Sequence, residues 1–407
     1  IVTNFVGFDG TSVQVSSVIG KGFKSSPFHA ALINGTAAHS LDYDDVNWVI
    51  KGHPSAVLLP ALLALGEKED IRGDELLLGY MVGFEAMCKI SEYMSQGFFD
   101  NLGWHPTSVL GAIGAAAGCG KIMGLDQESI AMTLSLAASL SGGLRQNFGS
   151  MTKPLHVGMS ARSGITAAVL VNNGLTAGAD GLEGGFGFVN AFSGGLSAEL
   201  NITRDINNEY NALRHGAIEI KEYPSCGSTH LALSAIFSLL EDHEIDPRQV
   251  LGIDVIVDFD PPRSLIHHSP STGLEAKFSM EYCISAAIID GKIDLDTFAS
   301  EMIMRPDVRD LMGKVKMTRD PAFSGCPSLQ EGFHQVQVHL KDGITHSQRS
   351  YRTDVPQLSS NTDNLKGKFF DCAKNVLPLP LVEEAFSALV DITRLDSIKT
   401  LMDLIRN

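Results

Sequence analysis

Residues 106–122 form an apolar segment in which small side chains occupy most positions, and this pattern limits the fold more than any other feature of the sequence. The small residues are Gly111, Ala112, Gly114, Ala115, Ala116, Ala117, Gly118 and Gly120. The distance between two packed helices depends on the side chains at their contact, so other helices can approach such a helix closely from several sides. We therefore expect this segment to lie at the centre of a helical bundle.

The neighbouring segments carry apolar residues at helical spacing. These segments are 54–67, 73–96, 126–141 and 154–173. Gly124 and Gly174 follow two of the apolar segments, where glycine is typical of a helix end. Asp126 stands at the start of another and is a favourable N-cap residue. We predict all-α structure from about residue 26 to about residue 200.

The pattern changes beyond about residue 215. Alternating apolar residues predict a strand over 253–259. A β-hairpin is predicted over 334–340 and 344–351, with Asp342-Gly343 as its turn. Helical stretches near 279–290 and 295–303 lie between them. These elements predict a small α+β domain.

Helical spacing returns from about residue 362 and continues to a final helix near 396–406. The predicted fold class is therefore mainly α, with a large all-helical domain built from both chain ends and an inserted smaller α+β lid domain. The predicted boundaries are 1–215 for the first helical part, 216–361 for the lid, and 362–407 for the C-terminal return.

Charge and cysteine usage narrow the functional classes. The 407 residues have a formal net charge of −16, which argues against nucleic acid and anionic membranes as partners. The six cysteines show no CxxC spacing, so a reducing, cytoplasmic location is expected. No apolar run reaches membrane-spanning length without a break. The chain begins at Ile1 in a pattern typical of the middle of a domain, so we expect a further N-terminal piece that could carry a targeting signal.

The stretch 149–158 predicts a carboxylate-binding position. Pro154 is suited to the first position of a helix, which would place Lys153 at the open N-terminus and His156 in the first turn. A cation beside unpaired backbone N–H groups is unfavourable for stability but suited to holding an anion. His53 and His105 also precede a proline and an apolar helical segment. We expect these three helix starts to converge on one anionic ligand.

Three other stretches add polar groups that a helical bundle does not need. Asp42 belongs to an acidic cluster over 42–45, and Arg145 and Gln146 stand shortly before Lys153. The stretch 221–230, at the predicted domain junction, contains Lys221, Tyr223, Cys226 and His230. Junctions between domains are favoured places for small-ligand sites.

Competing interpretations of these residues are weaker. The acidic cluster and His53 match no metal-binding spacing, and the glycines near 184 do not follow a strand as a dinucleotide site requires. Cys226 with His230 lacks a second signature of acyl transfer. Histidine, lysine, tyrosine and cysteine side chains suit proton abstraction from a carbon next to a carboxylate, with cations stabilising the developing enolate.

Together these stretches resemble the MmgE/PrpD family. The matching stretches, in chain order, are His39–Asp45, Gly52–Ser55, His105–Ser108, Thr152–His156, Lys221–His230 and Thr272–Ser279. The resemblance implies the helical domain with its inserted lid, a homodimer, and a small polycarboxylate substrate with no metal or organic cofactor. Members include 2-methylcitrate dehydratase, cis-aconitate decarboxylase and iminodisuccinate epimerase. The site residues it implies are Asp42, His53, His105, Lys153 and Lys221.

Two departures guide the choice among these activities. Decarboxylase and dehydratase members resemble one another in a threonine where this chain has Val46, and the decarboxylase has a lid histidine where this chain has Cys226. An epimerase needs a proton acceptor and a donor on opposite faces of one carbon, and no leaving group. We therefore expect an epimerase of iminodisuccinate type, with His105 and a group from the Lys221–Cys226 stretch as the opposed acid and base. The alternatives are a lyase acting on a citrate-like acid and a non-catalytic polycarboxylate-binding protein.

Overall fold

The structure is a computed structural model that describes residues 13–94, 97–195, 210–214, 217–322, 332–354, 362–374 and 376–406. Its buried apolar residues form two clusters. The first is built by residues before 190 and after 376, and we call this part the helical region. Apart from Phe148, the second is built by residues 226–338, and we call this part the α+β region.

The helices of the N-terminal part follow the predicted order. They are α1 (Pro27–Ser40), α2 (Pro54–Glu69), α3 (Gly73–Tyr93), α4 (Gly97–Asp100), α5 (Pro106–Ile122), α6 (Gln127–Ser139), α7 (Thr152–Asn172) and α8 (Phe188–Phe192). Asp126 caps α6 by accepting a hydrogen bond from the Ser129 backbone, as predicted. Gly124 and Gly174 have positive φ angles just beyond α5 and α7, which confirms both as helix ends. The chain is mainly α.

Helix α5 occupies the centre of the bundle, as its small residues predict. It packs against α2, α3, α6 and α7. A Cβ atom added to Gly83 of α3 would lie 2.6 Å from the Gly114 carbonyl oxygen of α5. A Cβ added to Gly118 would lie 2.7 Å from the Gly79 carbonyl oxygen. Backbone therefore meets backbone along this contact, and only glycine fits at these positions.

The C-terminal helices contribute to the same core. After α14 (Thr362–Ala373), α15 (Leu379–Val390) buries Val382 and Ala385, and α16 (Ile398–Ile405) buries Leu401 and Met402. Helix α16 packs against α2. Burial of such side chains contributes about 1.5–3 kcal/mol each, so the last helices stabilise the helical region.

The α+β region contains one four-stranded sheet in the order β6-β5-β7-β8. Its strands are β5 (Val250–Val257), β6 (Val315–Arg319), β7 (Phe333–Leu340) and β8 (Thr345–Tyr351). Strand β7 pairs antiparallel with β5 and β8, and Gly343 turns the predicted hairpin with a φ of 90°. Strand β6, which the sequence did not indicate, pairs parallel with β5.

Helices pack around the sheet and carry the α+β core. They are α9 (Gly227–Asp242), α10 (Gly273–Ala276), α11 (Met280–Asp290), α12 (Ser300–Ile303) and α13 (Pro306–Met312). Helix α9 packs on β7 and β8, while α11 packs against α9, α13 and β6. The predicted helix over 295–303 is divided into a 3-10 turn at Asp296–Phe298 and the short α12.

Short strands join residues that are far apart in sequence. Strand β1 (Ser16–Ser17) pairs with β2 (Lys24–Ser25) beside α2. Strand β3 (Asp45–Val46) pairs antiparallel with β4 (Glu219–Ile220), with Asp45 opposite Ile220 and Val46 opposite Glu219. This second pair holds the acidic cluster beside the start of the α+β region.

Within the described residues, no helix is both long and apolar enough to cross a membrane. Cys88, Cys119, Cys226, Cys283 and Cys372 carry free thiols. The sixth cysteine, Cys326, lies outside the described residues.

Candidate active site

A cavity that opens to solvent lies where the helical and α+β regions meet, with about 550 Å³ of space when its open mouth is included. Its lining from the helical region includes Asp42, Val46, Trp48, Lys51, His53, Phe99, His105, Thr107, Phe148 and Lys153. Its lining from the α+β region includes Cys226, Gly227, Ser228, Arg263, Ser264 and Phe278. Four of the predicted catalytic residues therefore face one space.

Asp42 connects two lysines from different parts of the chain. It directly follows the C-cap residue of α1 and has a φ of 51°, an uncommon conformation for a residue with a Cβ. Lys153 Nζ forms a short ion pair with Asp42 Oδ1, and Lys221 Nζ lies 3.0 Å from Oδ2. Lys221 Nζ also donates to the Asp42 carbonyl oxygen at 3.1 Å. All three side chains are buried.

The charges of this group stabilise one another. Burial alone would raise the pKa of Asp42, but Lys153 and Lys221 outweigh burial and hold that pKa well below its usual range. Burial likewise opposes the charge on Lys221, yet Asp42 and Asp44 outweigh it and raise the Lys221 pKa. Asp42 and Asp44 together balance the charges of Lys153 and Lys221, so each buried ammonium group keeps a carboxylate partner.

Asp44 orients two histidines beside the cavity. His39 Nδ1 lies 2.5 Å from Asp44 Oδ2, and the His39 and His53 rings are 4.7 Å apart. His53 Nδ1 lies 2.6 Å from the Asp45 carbonyl oxygen. Burial lowers the pKa of His53 to about 3, against the attraction of Asp44, so this imidazole is neutral near pH 7.

The same group has residue types that a metal centre could use. Ligand atoms of His39, Asp44 and His53 lie within 4.8 Å of one another. However, Lys221 Nζ lies 3.4 Å from Asp44 Oδ1, where its ammonium already provides positive charge. His39 Nδ1 already contacts Asp44, and His53 Nδ1 already contacts the Asp45 carbonyl oxygen. We therefore interpret the group as a network that orients the two imidazoles.

His105 is the N-cap residue of α5, and Pro106 is the first residue of that helix, as predicted. Its Nδ1 lies 3.3 Å from His156 Nδ1, and its ring packs edge-on against Phe148. Its buried Nε2 has no hydrogen-bond partner among the described residues. Burial holds the pKa of His105 well below its usual value, and Lys153 acts in the same direction. The imidazole is therefore neutral near pH 7.

The predicted start of α7 was wrong by two residues. The helix begins at Thr152, so Lys153 lies inside its first turn and Pro154 is the third helical residue. A proline in the first turn removes no helical hydrogen bond, and for this reason the earlier start is tolerated. Lys153 Nζ lies 5.3 Å from the centre of the Phe148 ring and 4.8 Å from that of Phe278.

Cys226 lines the cavity as the N-cap residue of α9. Burial raises the pKa of its thiol, and Asp42 raises it further, so the side chain is a neutral thiol near pH 7. Lys221 lies behind Asp42 and is absent from the cavity lining. The Lys221–Cys226 stretch therefore presents a thiol to the cavity and an ammonium to the acidic cluster.

Four predicted substrate-binding residues lie outside the cavity lining. Gln146 is exposed, and Tyr223 packs against His230 and Phe237 in the α+β region. His156 stands behind His105. Arg145 stacks on the ring of Phe99, with 4.7 Å between its guanidinium carbon and the ring centre. The distribution of polar groups in the sequence does not reveal which of them the fold turns toward the cavity.

Sequence reasoning missed two cations at the cavity. Lys51 and Arg263 are half-buried and line it from the helical and the α+β regions respectively. Both have positive φ angles, 55° and 49°. Arg263 directly follows Pro261-Pro262 in the chain. In the sequence, only the position of each residue in a loop between two predicted elements could have indicated a role at the cavity. That feature does not distinguish them from other loop residues.

Comparison with known proteins places this geometry in a family context. Residues 6–201 match the MmgE/PrpD N-terminal domain, and residues 223–391 match the MmgE/PrpD C-terminal domain. The cis-aconitate decarboxylase of Mus musculus is 30% identical, over 98% of this chain and 86% of the relative. That of Homo sapiens is 30% identical over 93% and 79% of the two chains. That of Aspergillus terreus is 25% identical over 95% and 83%.

These relatives correct one sequence-based expectation. The activity predicted from Val46 and Cys226 was an epimerase of iminodisuccinate type, whereas the similar proteins are decarboxylases, which are lyases. The prediction of an epimerase was wrong because it derived a reaction class from two lost polar groups. Such losses alter contacts around a substrate without identifying the bond that breaks.

Proposed function

The chain belongs to the MmgE/PrpD family, and from this premise we propose that it is a lyase that releases carbon dioxide from cis-aconitate or a closely similar unsaturated tricarboxylate. The observation that carries the proposal is the cavity that the cations Lys153, Lys51 and Arg263 line together with His105. Relatives named for this reaction align with nearly the whole chain.

The substrate would be held by the charges of three side chains that line the cavity. Lys153 is buried beside Asp42, while Lys51 and Arg263 are half-buried at the cavity. Three cationic side chains can each meet one carboxylate of a tricarboxylate, and they bind more strongly where water is excluded. Phe148 and Phe278 flank Lys153 with apolar surface, which keeps its surroundings low in dielectric.

The reaction breaks one carbon–carbon bond. The bond to the departing carboxylate is cleaved, its electron pair delocalises through the double bond toward a remaining carboxylate, and carbon dioxide leaves. A proton then adds to carbon and yields an unsaturated dicarboxylate. Cationic groups that hold the remaining carboxylates stabilise the developing negative charge, an effect worth about 10²–10³-fold in rate for one well-placed donor.

We assign the proton to His105. Its Nε2 is buried without a partner among the described residues, and its ring is fixed by Phe148 and His156. The imidazole is neutral near pH 7 because burial and Lys153 hold its pKa well below the usual value. A bound polyanion would raise its pKa, since neighbouring negative charge favours the protonated form. Binding of the substrate would thus be coupled to protonation of His105.

The two departures from the decarboxylase pattern bear on substrate choice. Val46 and Cys226 both line the cavity and lie near Trp48 and Gly227 in its wall. Valine and a neutral thiol make this wall less polar than a hydroxyl and an imidazole would. We therefore include a methyl-substituted cis-aconitate among the candidate substrates.

The test is carbon dioxide release by the purified full chain, with cis-aconitate, its methyl-substituted analogue and citrate offered separately. We expect release from one of the two unsaturated acids, and a loss of about 10²–10³-fold in kcat/KM for Lys153→Met. Lys121→Met, which removes an exposed lysine at the end of α5, is the matched control and should behave as wild type. Absence of carbon dioxide with all three acids, or unchanged release by Lys153→Met, would refute the proposal.

Three further expectations belong to this proposal. Residues 216–361 would act as a lid that excludes water, on a helical domain formed by 1–215 and 362–407. The protein would be a homodimer in the cytoplasm. Light scattering of the purified chain tests the dimer, and hydrogen exchange with and without a tricarboxylate tests closure of the lid.

A further inference from the structure

Two lysines outside the cavity lining hold the backbone of the active-site segments together. Lys277 Nζ donates to the Leu41 carbonyl oxygen and to the Pro224 carbonyl oxygen, both at 2.7 Å. The Lys277 carbonyl oxygen in turn accepts a hydrogen bond from the Cys226 backbone at 3.0 Å. This one residue therefore contacts the residue before Asp42 and two residues of the segment that carries Lys221 and Cys226.

Lys368 acts on the same two segments from the C-terminal helix α14. Its Nζ donates to the Lys221 carbonyl oxygen at 2.5 Å and lies 3.7 Å from the centre of the Tyr43 ring. Tyr43 separates Asp42 from Asp44 in the acidic cluster. Lys277 and Lys368, which lie in different parts of the chain, thus both contact segment 41–44 and segment 221–226 and hold them together.

Unlike the ammonium group of an exposed lysine, the ammonium groups of Lys277 and Lys368 are removed from water by folding. Burial lowers the pKa of Lys277 to about 8, and burial also lowers the pKa of Lys368 to about 8. Desolvation of an ammonium is unfavourable unless hydrogen bonds replace its water. The carbonyl oxygens of Leu41, Pro224 and Lys221 provide that replacement. An apolar side chain would avoid the desolvation, but it would leave these carbonyl oxygens without their donors.

We propose that Lys277 and Lys368 are positioning residues, which set the geometry of the Asp42–Lys221–Lys153 group by fixing segment 41–44 against segment 221–226. Asp42 receives Lys221 on one carboxylate oxygen and Lys153 on the other, so a small shift between the segments alters both ion pairs. Misplacement of a reacting group by about 1 Å can lower a rate about 100-fold. The proposal deepens the function proposed above and rests on it where turnover is measured.

The main test compares Lys277→Met with Tyr282→Phe in the full chain. Tyr282 is buried in the same region and donates to the Thr297 carbonyl oxygen at 2.5 Å, away from the two segments. Both substitutions remove a buried donor to a backbone carbonyl and should lower Tm. Only Lys277→Met is expected to lower kcat, by about 10- to 100-fold per folded site, with a smaller change in KM. Lys277→Arg retains a donor and should recover part of kcat.

Lys368→Met is paired with Lys366→Met, which removes an exposed lysine from the same helix. We expect a lower kcat for Lys368→Met and wild-type kcat for Lys366→Met. Equal kcat for Lys277→Met and Tyr282→Phe, with similar losses of Tm, would show that Lys277 is merely structural and would overturn the proposal.

Hydrogen exchange supplies a readout that does not need turnover. Lys277→Met should speed exchange in segments 41–46 and 219–226 while α5 stays protected, and Tyr282→Phe should leave both segments unchanged. If wild type releases no carbon dioxide but exchange rises in these segments, the proposed function fails and the positioning role stands. If wild type is active and exchange in these segments is unchanged, the positioning role fails alone.

Discussion

The contact between α3 and α5 and the cavity beside Asp42 are both buried, but they are buried for opposite reasons. At the helix contact, Gly83 and Gly114 let two backbones touch, and the surrounding side chains are apolar. At the cavity, Asp42, Lys153 and Lys221 are charged groups removed from water. The first arrangement stabilises the fold. The second opposes folding unless every charge keeps its partner, and for this reason we propose it as the functional part of the molecule.

The largest effect should come from breaking the charged group. Asp42→Asn leaves Lys153 and Lys221 facing one another without their shared carboxylate. We expect a loss of about 3–5 kcal/mol in the free energy of unfolding, because a buried ion pair loses one partner. Turnover should fall as well. Denaturant unfolding and carbon dioxide release measure the two effects, and a variant as stable as wild type would contradict the description of this group.

His105→Gln should separate activity from stability. The buried Nε2 has no partner among the described residues, so its loss should change the free energy of unfolding by less than about 1 kcal/mol. Loss of a general acid typically lowers the rate about 10²–10⁴-fold. Single-turnover kinetics beside denaturant unfolding checks both values. Near wild-type kcat would remove His105 from the reaction.

Gly83→Ala should lower stability and leave activity unchanged, which is the reverse of the result expected for His105→Gln. The added Cβ would lie 2.6 Å from the Gly114 carbonyl oxygen, and overpacking of this kind costs about 1–3 kcal/mol. The kcat of the folded protein should be unchanged. Gly367→Ala in α14 is the control, since a Cβ there meets nothing within 4 Å and alanine favours the helix. A lower kcat for folded Gly83→Ala would show that core and cavity are coupled.

How much of this contrast the sequence could predict depends on the kind of interaction. Helix α5 and its central place followed from small residues at known spacing, because helix packing is a local property of a periodic pattern. The cavity depends on Asp42, Lys153 and Lys221, which are far apart in the chain and meet only in the fold. Their convergence was expected from motifs, but the direction of each side chain was not. Gln146 and Tyr223 are polar residues of the right type that the fold turns elsewhere.

Strand β6 and Arg263 show two further limits. Strand β6 is short and pairs parallel with β5, a long-range contact that leaves no hairpin signal in the sequence. Arg263 takes its place from a loop conformation with positive φ, which an arginine rarely adopts and a pattern does not predict. The epimerase expectation failed for a related reason, since two substitutions in the lining carry no information about which bond breaks.

The last effect concerns the pH dependence of stability. Burial and the charge of Asp44 raise the pKa of Asp45 to about 6, above its unfolded value near 3.8. The protonated form is therefore favoured by folding, and the stability it contributes is lost as pH rises from about 4 to about 6. A pKa difference of one unit between the folded and unfolded states corresponds to about 1.4 kcal/mol. The rise from about 3.8 to about 6 therefore limits the loss to about 3 kcal/mol. Asp45→Asn should lack this loss.

Because other groups titrate in the same range, the quantity to measure is the difference in unfolding free energy between Asp45→Asn and wild type. It should move in favour of the variant between pH 4 and pH 6 and stay constant above pH 7. A difference that is independent of pH would show that Asp45 ionises normally in the folded protein.

The most direct test of the central claim is turnover in deuterium oxide of cis-aconitate and, separately, of its methyl-substituted analogue, followed by nuclear magnetic resonance of the product and by capture of the gas. The account predicts one carbon dioxide for each cis-aconitate consumed, and one deuterium on carbon in each molecule of the dicarboxylate formed. Consumption of either unsaturated acid without carbon dioxide, or consumption of neither by folded wild-type protein, would contradict it.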